Sequence, residues 1–166
     1  MSVAAASLAY EQFLELTEGF YRLSGCPLDY FESDAGKAIA FEVNVADVMF
    51  SVGYDPSAGV AQLFAHCLLG ALPSEVLEGA LTQLLQANLT EARLYNGTYC
   101  IDAATQQVAY YWRSSVAGID AAMLCEQLAR IATLATHWRT DPLGHKAATG
   151  EQATTGQLAM PLRSLA

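Results

Sequence analysis

The segment from Gly70 to Leu89 constrains the fold of this chain most strongly. It reads Gly-Ala-Leu-Pro-Ser-Glu-Val-Leu-Glu-Gly-Ala-Leu-Thr-Gln-Leu-Leu-Gln-Ala-Asn-Leu. A strand stops here, and Pro73 and Ser74 begin a helix, with Ser74 as the predicted N-cap. The helix carries more leucine than one buried stripe needs. Part of its apolar surface is therefore expected to contact another chain.

The composition predicts one domain with surplus apolar side chains. Of the 166 residues, 53% are hydrophobic and 15% are charged, a high and a low share for a soluble domain. A chain of this length can form a core without disulfides or metal. Surplus apolar residues usually go to an oligomer interface or a binding surface.

The acidic surface argues against nucleic acid and membrane lipid as partners. The formal net charge is −9, and the only basic residues in the first hundred positions are Arg22, Lys37 and Arg93. Such a surface repels phosphate backbones and anionic lipid and favours a basic partner, although solubility alone also explains it. No apolar stretch reaches membrane-spanning length without interruption, so no membrane insertion is expected.

The cysteines and the N-terminus predict a cytoplasmic protein. Cys26, Cys67, Cys100 and Cys125 lie far apart, form no C-x-x-C pair and sit in or beside apolar runs. This pattern is typical of buried, reduced thiols in a cytosol. Residues 1–6 contain no basic residue and too short an apolar run for a secretory signal.

Hydrophobic periodicity predicts an α+β fold, a twisted antiparallel sheet packed with helices. Helical spacing marks residues 4–23, a helix from 73–74 onward, and a last helix to about 139 that Asp120 caps. Strands are predicted at 39–45, 47–54, 60–69, 98–101 and 108–112. The order is helix, three antiparallel strands, helix, two-strand hairpin, helix. Residues 1–141 form the domain, and 142–166 are expected to be a flexible tail.

Two strands carry more specific expectations. The run 60–69 is apolar on both faces, which predicts a strand buried on two sides. In the second hairpin Val108, Tyr110 and Trp112 share one face and Tyr111 lies on the other. One side of that hairpin therefore presents aromatic surface, which interfaces favour.

The residues contain no recognisable catalytic, cofactor or metal site. His66 and Cys67 are neighbours, but adjacent side chains of a strand point to opposite faces. His137 and His145 lack ligand spacing for zinc. No glycine-rich loop precedes a helix to hold phosphate, and no serine lies in a nucleophile elbow. We therefore expect a protein that is not an enzyme and needs no cofactor.

Several local sequences together resemble the class I type III secretion chaperones, the Tir-chaperone (CesT-like) family. They are Leu72-Pro73 before the second helix, the segment Leu84-Leu85-Gln86-Ala87-Asn88-Leu89, the 97–112 hairpin, and a last helix ending in His137-Trp138-Arg139. The resemblance covers roughly residues 6–141. Two features depart from it: Asp102 is followed by Ala103 where the family has glycine, and a tail extends past Pro142.

The resemblance implies a small acidic homodimer in the cytoplasm of a Gram-negative bacterium. Such a chaperone holds the N-terminal segment of a secreted effector in extended form, ready for the secretion apparatus. It implies that the second helix builds much of the dimer interface and that the effector wraps over apolar patches of the first helix and sheet. We expect the dimer contact at Leu77, Leu81, Leu84 and Leu85. We expect effector contacts at Tyr10, Leu14, Tyr21 and Met49.

Two other functions are compatible with the same residues. A small-molecule-binding or catalytic α+β domain would have one deep cavity lined by polar groups, such as His66 with Glu42 or Tyr99. A non-secretory adaptor of the same fold would bind a folded partner instead of an extended segment.

Overall fold

The computed structural model describes residues 3–25, 37–57, 61–72 and 77–141. The elements in chain order are α1 (Val3–Ser24), β1 (Ile39–Val45), β2 (Val48–Asp55), β3 (Gln62–Ala71), α2 (Leu77–Leu94), β4 (Gly97–Ile101), β5 (Gln107–Ser115), a 3₁₀ turn (Val116–Gly118) and α3 (Ala121–Thr140). This order confirms the predicted α+β class. The predicted helix start at Pro73 and Ser74 and the predicted tail 142–166 lie outside the described residues.

The five strands form one antiparallel sheet in the order β1-β2-β3-β5-β4. The β1–β2 and β4–β5 pairs are hairpins. β3 pairs directly with β5, although α2 and β4 lie between them in the sequence. Among the described residues, β1 and β4 are therefore the two edge strands. Edge strands matter because their outer N–H and C=O groups have no neighbouring strand to bond.

The core lies between one face of the sheet and helices α1 and α3. Phe13 of α1 stacks on Tyr54 of β2, with 5.3 Å between the ring centroids. Leu124, Leu128 and Ile131 of α3 are fully buried. The Asp120 carboxylate accepts a 2.8 Å hydrogen bond from the Met123 N–H, which confirms the predicted N-cap of α3.

The prediction that the third strand is buried on both faces is wrong. In β3, Leu63, Ala65 and Cys67 are buried against the helices, whereas Phe64, His66 and Leu68 are half-buried. The described helices pack on one side only, so the second face is covered mainly by neighbouring side chains. Phe64 stacks there on Tyr111 of β5, with 6.0 Å between the ring centroids.

The β1–β2 turn has an unusual backbone for its residues. Ala46 and Asp47 both have positive φ, 50° and 62°, as a two-residue type I′ turn requires. Aspartate is common at such positions, so Ala46 is the unusual residue, standing where glycine, asparagine or aspartate is expected. The Asn44 side chain supports the turn by accepting a 3.1 Å hydrogen bond from the Asp47 N–H.

This turn also determines which groups of β1 face outward. A two-residue turn makes the flanking Val45–Val48 pair hydrogen-bonded, and bonded pairs alternate along an antiparallel ladder. Residues 39, 41, 43 and 45 therefore bond to β2. The backbone N–H and C=O groups of Ala40, Glu42 and Asn44 point to the open edge.

We predict that Ala46→Gly stabilises the protein. Removing the Cβ relieves the steric conflict of positive φ, which is of the order of 1 kcal/mol. Ala40→Gly makes the same chemical change in a strand and should destabilise by roughly 0.5–1 kcal/mol. Urea unfolding of both variants measures this. An equal loss of stability in the two would contradict the assignment of the turn.

Candidate functional site

Helix α2 is attached to the β4 edge through Asn88. The Tyr99 N–H donates to the Asn88 side-chain oxygen at 2.6 Å, and the Asn88 amide donates to the Tyr99 carbonyl at 3.0 Å. The Asn88 side chain thus bonds the N–H and C=O of an edge-strand residue as the backbone of an adjacent strand would. This closes β4 at its midpoint to an additional strand.

A polar cluster fixes the C-terminal half of α2 to the core. The Tyr110 hydroxyl donates to the Glu91 carboxylate at 2.5 Å, and Arg130 of α3 donates to the same hydroxyl at 2.7 Å. Arg130 also lies 3.4 Å from Glu91 and over the Tyr95 ring, 4.1 Å from its centroid. Burial, with the Glu91 hydrogen bond, raises the pKa of Tyr110, so this hydroxyl remains a donor at physiological pH.

Gly97 makes this cluster possible. A Cβ at this position would overlap the Tyr110 hydroxyl and ring. Only glycine lets the ring lie against the β4 backbone and direct its hydroxyl towards Glu91. Asn96 before it has φ of 53°, so the chain leaves α2 through a left-handed residue.

The orientation of α2 against β4 buries some of its leucines and exposes others. Leu84 lies on the Asn88 side of the helix and is 6% exposed, whereas Leu85 is 72% exposed. Leu81 and Leu89 lie four residues on either side of Leu85 and are also exposed. We call Leu81, Leu85 and Leu89 the leucine stripe, a continuous apolar row along two turns of the helix.

The predicted dimer residues thus fall into different environments. Leu81 and Leu85 face outward and Leu84 faces the core; Leu77 begins α2, and its side chain lies outside the described part. Leu89 continues the exposed row, and its i+4 spacing from Leu85 was a sufficient signal for that in the sequence.

An apolar groove lies beside the open β1 edge. Leu23 at the end of α1, Val43 and Val45 of β1, and Cys125 and Leu128 of α3 line it, and its volume is about 350 Å³. We call this the β1 groove. It lies on the helix-covered face, so a strand added to β1 would direct every second side chain towards it.

The predicted effector-contact residues lie on both faces of the sheet. Tyr10, Leu14 and Tyr21 follow one side of α1: the first two are half-buried, and Tyr21 is buried with its ring tilted on Phe41. Met49 is exposed on the opposite sheet face. The four residues therefore do not form one continuous patch.

A second groove separates α2 from α3. Leu84, Tyr99, Leu134 and Trp138 line it, and its volume is about 280 Å³. The indole nitrogen of Trp138 is buried, and no described residue hydrogen-bonds to it. The gap shows that α2 is held by β4 and the polar cluster more than by packing on α3.

The cysteines meet the prediction of buried thiols only in part. Cys67 is buried, and burial raises its pKa to about 12, which keeps the thiol protonated. Cys125 is half-buried. Cys100 is exposed, contrary to the prediction, because it lies near the end of the edge strand β4. Cys26 lies outside the described residues.

The polar residues proposed for a small-molecule pocket do not converge. His66 and Glu42 lie on the open sheet face with β2 between their strands, and Tyr99 lies on the helix-covered face. Within the described chain, no three His, Cys, Asp or Glu side chains come together as metal ligands would. None of the described helices combines the length and hydropathy of a membrane span.

Comparison with known proteins identifies the family. Residues 25–139 match the model of the Tir chaperone protein (CesT) family, which is more than half of the chain. The chain belongs to this family. This confirms the resemblance to type III secretion chaperones that the sequence predicted. No curated protein matches this chain.

Solved structures with the fold of this CesT-family member include three complexes. A chain in the structure of the Yersinia pestis type III secretion chaperone SycH with a stable fragment of YscM2 has a TM-score of 0.53 and 18% identity, over 73% of this chain and 94% of that one. A chain of the ExsC–ExsE complex has a TM-score of 0.56 and 20% identity, over 84% and 96%. A chain of the HopA1–SchA chaperone–effector complex has a TM-score of 0.51 and 16% identity, over 80% and 97%. At these identities the likeness shows the fold.

In this CesT-family chain we predict that Asn88→Ala destabilises the fold by about 1–2 kcal/mol. The change leaves the backbone N–H and C=O of Tyr99 without their partner. Gln86→Ala, on an exposed position of the same helix, should change the free energy of unfolding by less than about 0.5 kcal/mol. Denaturant unfolding compares them. A neutral Asn88→Ala would show that α2 does not depend on this contact.

Proposed function

We propose that this chain is a homodimeric chaperone of the cytoplasm. It binds the N-terminal region of a type III secretion effector in extended form and keeps that effector soluble and competent for export. The observation that carries the proposal is the contrast between the two sheet edges. β4 is closed by Asn88, whereas no described strand pairs with the outer side of β1, which lies beside an apolar groove.

An extended client fits the β1 edge for a simple reason. The outward N–H and C=O groups of Ala40, Glu42 and Asn44 can bond any backbone, so they supply affinity without demanding a sequence. The β1 groove takes apolar side chains from one side of the added strand. Ordering a disordered segment opposes binding, so further apolar contact along the chaperone is needed to offset it.

Further client contacts follow from the placement of the expected residues. Tyr10 and Leu14 offer half-buried apolar surface on α1, and Met49 offers an exposed side chain on the open face. Tyr21 is buried and contributes to client binding indirectly, because its ring packs against Phe41 of β1 and holds that side chain in place. A client that touches all of them would pass from one face of the sheet around the β1 edge to the other.

Two copies of the chain pair through α2. The leucine stripe of Leu81, Leu85 and Leu89 is the apolar row that a two-fold axis would bury against itself, with Leu84 supporting it from inside. Leu77 extends the contact to the start of the helix. Pairing also gives one long client two β1 grooves.

The remaining features support the same assignment. The acidic surface and the absence of a predicted disulfide framework fit a reducing cytoplasm. The sequence has no phosphate-binding loop, so we propose that the secretion apparatus supplies the work of client release. The family match ends at residue 139, close to the division between a chaperone domain, 1–141, and a tail, 142–166.

We predict that Leu85→Glu converts the dimer to monomer. Burying a carboxylate in the pairing contact is unfavourable enough to weaken dimerisation by at least about 100-fold. The matched control is Leu8→Glu on α1, where the leucine is also well exposed, at 58%. Sedimentation equilibrium gives the dissociation constants. A wild-type monomer, or an unchanged Leu85→Glu dimer, would contradict the proposed contact.

The client site is tested by Glu42→Pro with Glu42→Ala as its control. Proline removes an N–H that points to the open edge, so β1 keeps its bonds to β2 and loses a bond to the client. A client co-purified from the native cytoplasm should leave a protease-resistant N-terminal fragment with wild-type and Glu42→Ala chains. That fragment should be lost with Glu42→Pro. A protected folded client domain would favour the adaptor function instead.

A further inference from the structure

We propose that residues 158–162 of this chain, Leu-Ala-Met-Pro-Leu, occupy the β1 edge and the β1 groove when no client is bound. They add to β1 as a parallel strand. This inference rests on the proposed function, because it treats the same edge as the client site. It gives the tail the role of an intramolecular placeholder, which a client must displace.

The chain leaves the described structure beside the end of β1. Near the C-terminus of α3, the Arg139 guanidinium donates to the carbonyl of Asp47 at 3.1 Å and to that of Leu68 at 3.4 Å. Asp47 follows Val45, the last residue of β1, by two positions. Asp141, the last described residue, follows Arg139 by two positions. The tail therefore starts near one end of the open edge.

The intervening chain is long enough for a parallel arrangement. Sixteen residues, 142–157, separate Asp141 from Leu158, and a chain of that length spans up to about 50 Å. β1 has seven residues, so it is about 23 Å long. The tail can return to the Ile39 end of β1 and then run alongside it towards Val45.

The apolar residues of the segment alternate as a half-buried strand requires. Leu158, Met160 and Leu162 fall on one side of an extended chain, and Ala159 and Pro161 fall on the other. The larger set matches the groove. Leu143 is the only other large aliphatic side chain between 142 and 157, so no second run of this kind lies in that stretch.

Pro161 selects the parallel direction. In an antiparallel pair, the outward groups of Ala40, Glu42 and Asn44 would bond residues whose side chains share their face, which are Ala159 and Pro161. Proline has no N–H to donate there. In a parallel pair, the same groups bond residues of the opposite face, Leu158, Met160 and Leu162. Pro161 then faces solvent at the new edge, where it discourages a further strand.

The charge next to the segment agrees with this placement. Arg163 would lie on the open sheet face, the same face as the exposed Glu42 of β1. Within residues 158–166 it is the only charged side chain. Opposite charges on neighbouring strands of one sheet face attract, so Arg163 and Glu42 modestly favour this placement of the segment beside β1.

Hydrogen exchange of the full-length chain tests the placement directly. The amides of Ala40, Glu42 and Asn44 should exchange slowly in the wild-type chain. The Leu158→Ser/Met160→Ser double variant should speed their exchange at least about tenfold. The amides of Phe41 and Val43 should stay protected in both because they bond to β2. The matched control, Ala147→Ser/Ala148→Ser, should leave every rate unchanged.

Two proline variants test the direction of the strand. Met160→Pro removes an N–H that the parallel arrangement uses, so it should speed exchange as the serine variant does. Ala159→Pro removes an N–H that points to solvent and should leave the β1 amides protected. The opposite ranking would overturn the parallel assignment.

A peptide of residues 156–166, labelled with a fluorophore, tests the competition. The Leu158→Ser/Met160→Ser chain should bind it at least tenfold more tightly than the wild-type chain, because the tethered segment competes at an effective concentration of about a millimolar. Equal affinities overturn the inference. The inference is also overturned if the amides of Ala40, Glu42 and Asn44 exchange quickly in the wild-type chain. It is overturned as well if they exchange equally slowly in the wild-type and Leu158→Ser/Met160→Ser chains. Protection that depends on protein concentration assigns the site to a second copy and overturns the intramolecular form. The Glu42→Pro client experiment tests the proposed function separately from these outcomes.

Discussion

The two hydrogen bonds between Asn88 and the Tyr99 backbone determine how the rest of this structure is used. They hold α2 along β4 and so turn Leu84 inward. Because successive residues of a helix are about 100° apart, the same rotation turns Leu85 outward with the rest of the leucine stripe. The bonds also occupy β4, which leaves β1 as the sheet edge that no described element closes. One amide side chain thus separates the leucine stripe, which we propose for pairing, from the β1 edge, which we propose for an extended client.

The polar cluster adds orientation to that attachment. Apolar contacts alone would let α2 slide along β4, since leucine surfaces lack direction. The bonds among Tyr110, Glu91 and Arg130 have defined geometry and join β5, α2 and α3 at one point. Removing one member would leave the other two partly buried, each with one partner fewer, and a buried polar group that loses a partner costs more than the net value of the bond. The groove between α2 and α3 can therefore stay open while α2 keeps its position.

The elements of the fold could be predicted from the sequence because each depends on local periodicity, and the Asp120 cap depends on its own turn. The orientation of α2 could not, since leucines lie around much of its circumference and periodicity gives no preferred face. Asn88 meets Tyr99, and Glu91 meets Arg130 at 39 positions' distance; only tertiary structure brings these pairs together. The two-sided burial expected for β3 failed for a related reason. Half-buried Phe64, His66 and Leu68 look like core residues in sequence, because a sheet face covered by neighbouring aromatic rings needs the same apolar side chains.

In the proposed function, backbone and side chains of the chaperone make different contributions to binding a long client. A groove of about 350 Å³ accommodates only a few side chains, so it cannot by itself overcome the ordering of an extended segment. The open β1 edge adds main-chain bonds that any sequence can make. Affinity then grows with the length of strand added, while the groove imposes only an apolar residue at alternate positions. An open edge of this kind also invites strands from other molecules. A protein that keeps one must limit its access, and a covering that a client can displace does so without closing the site.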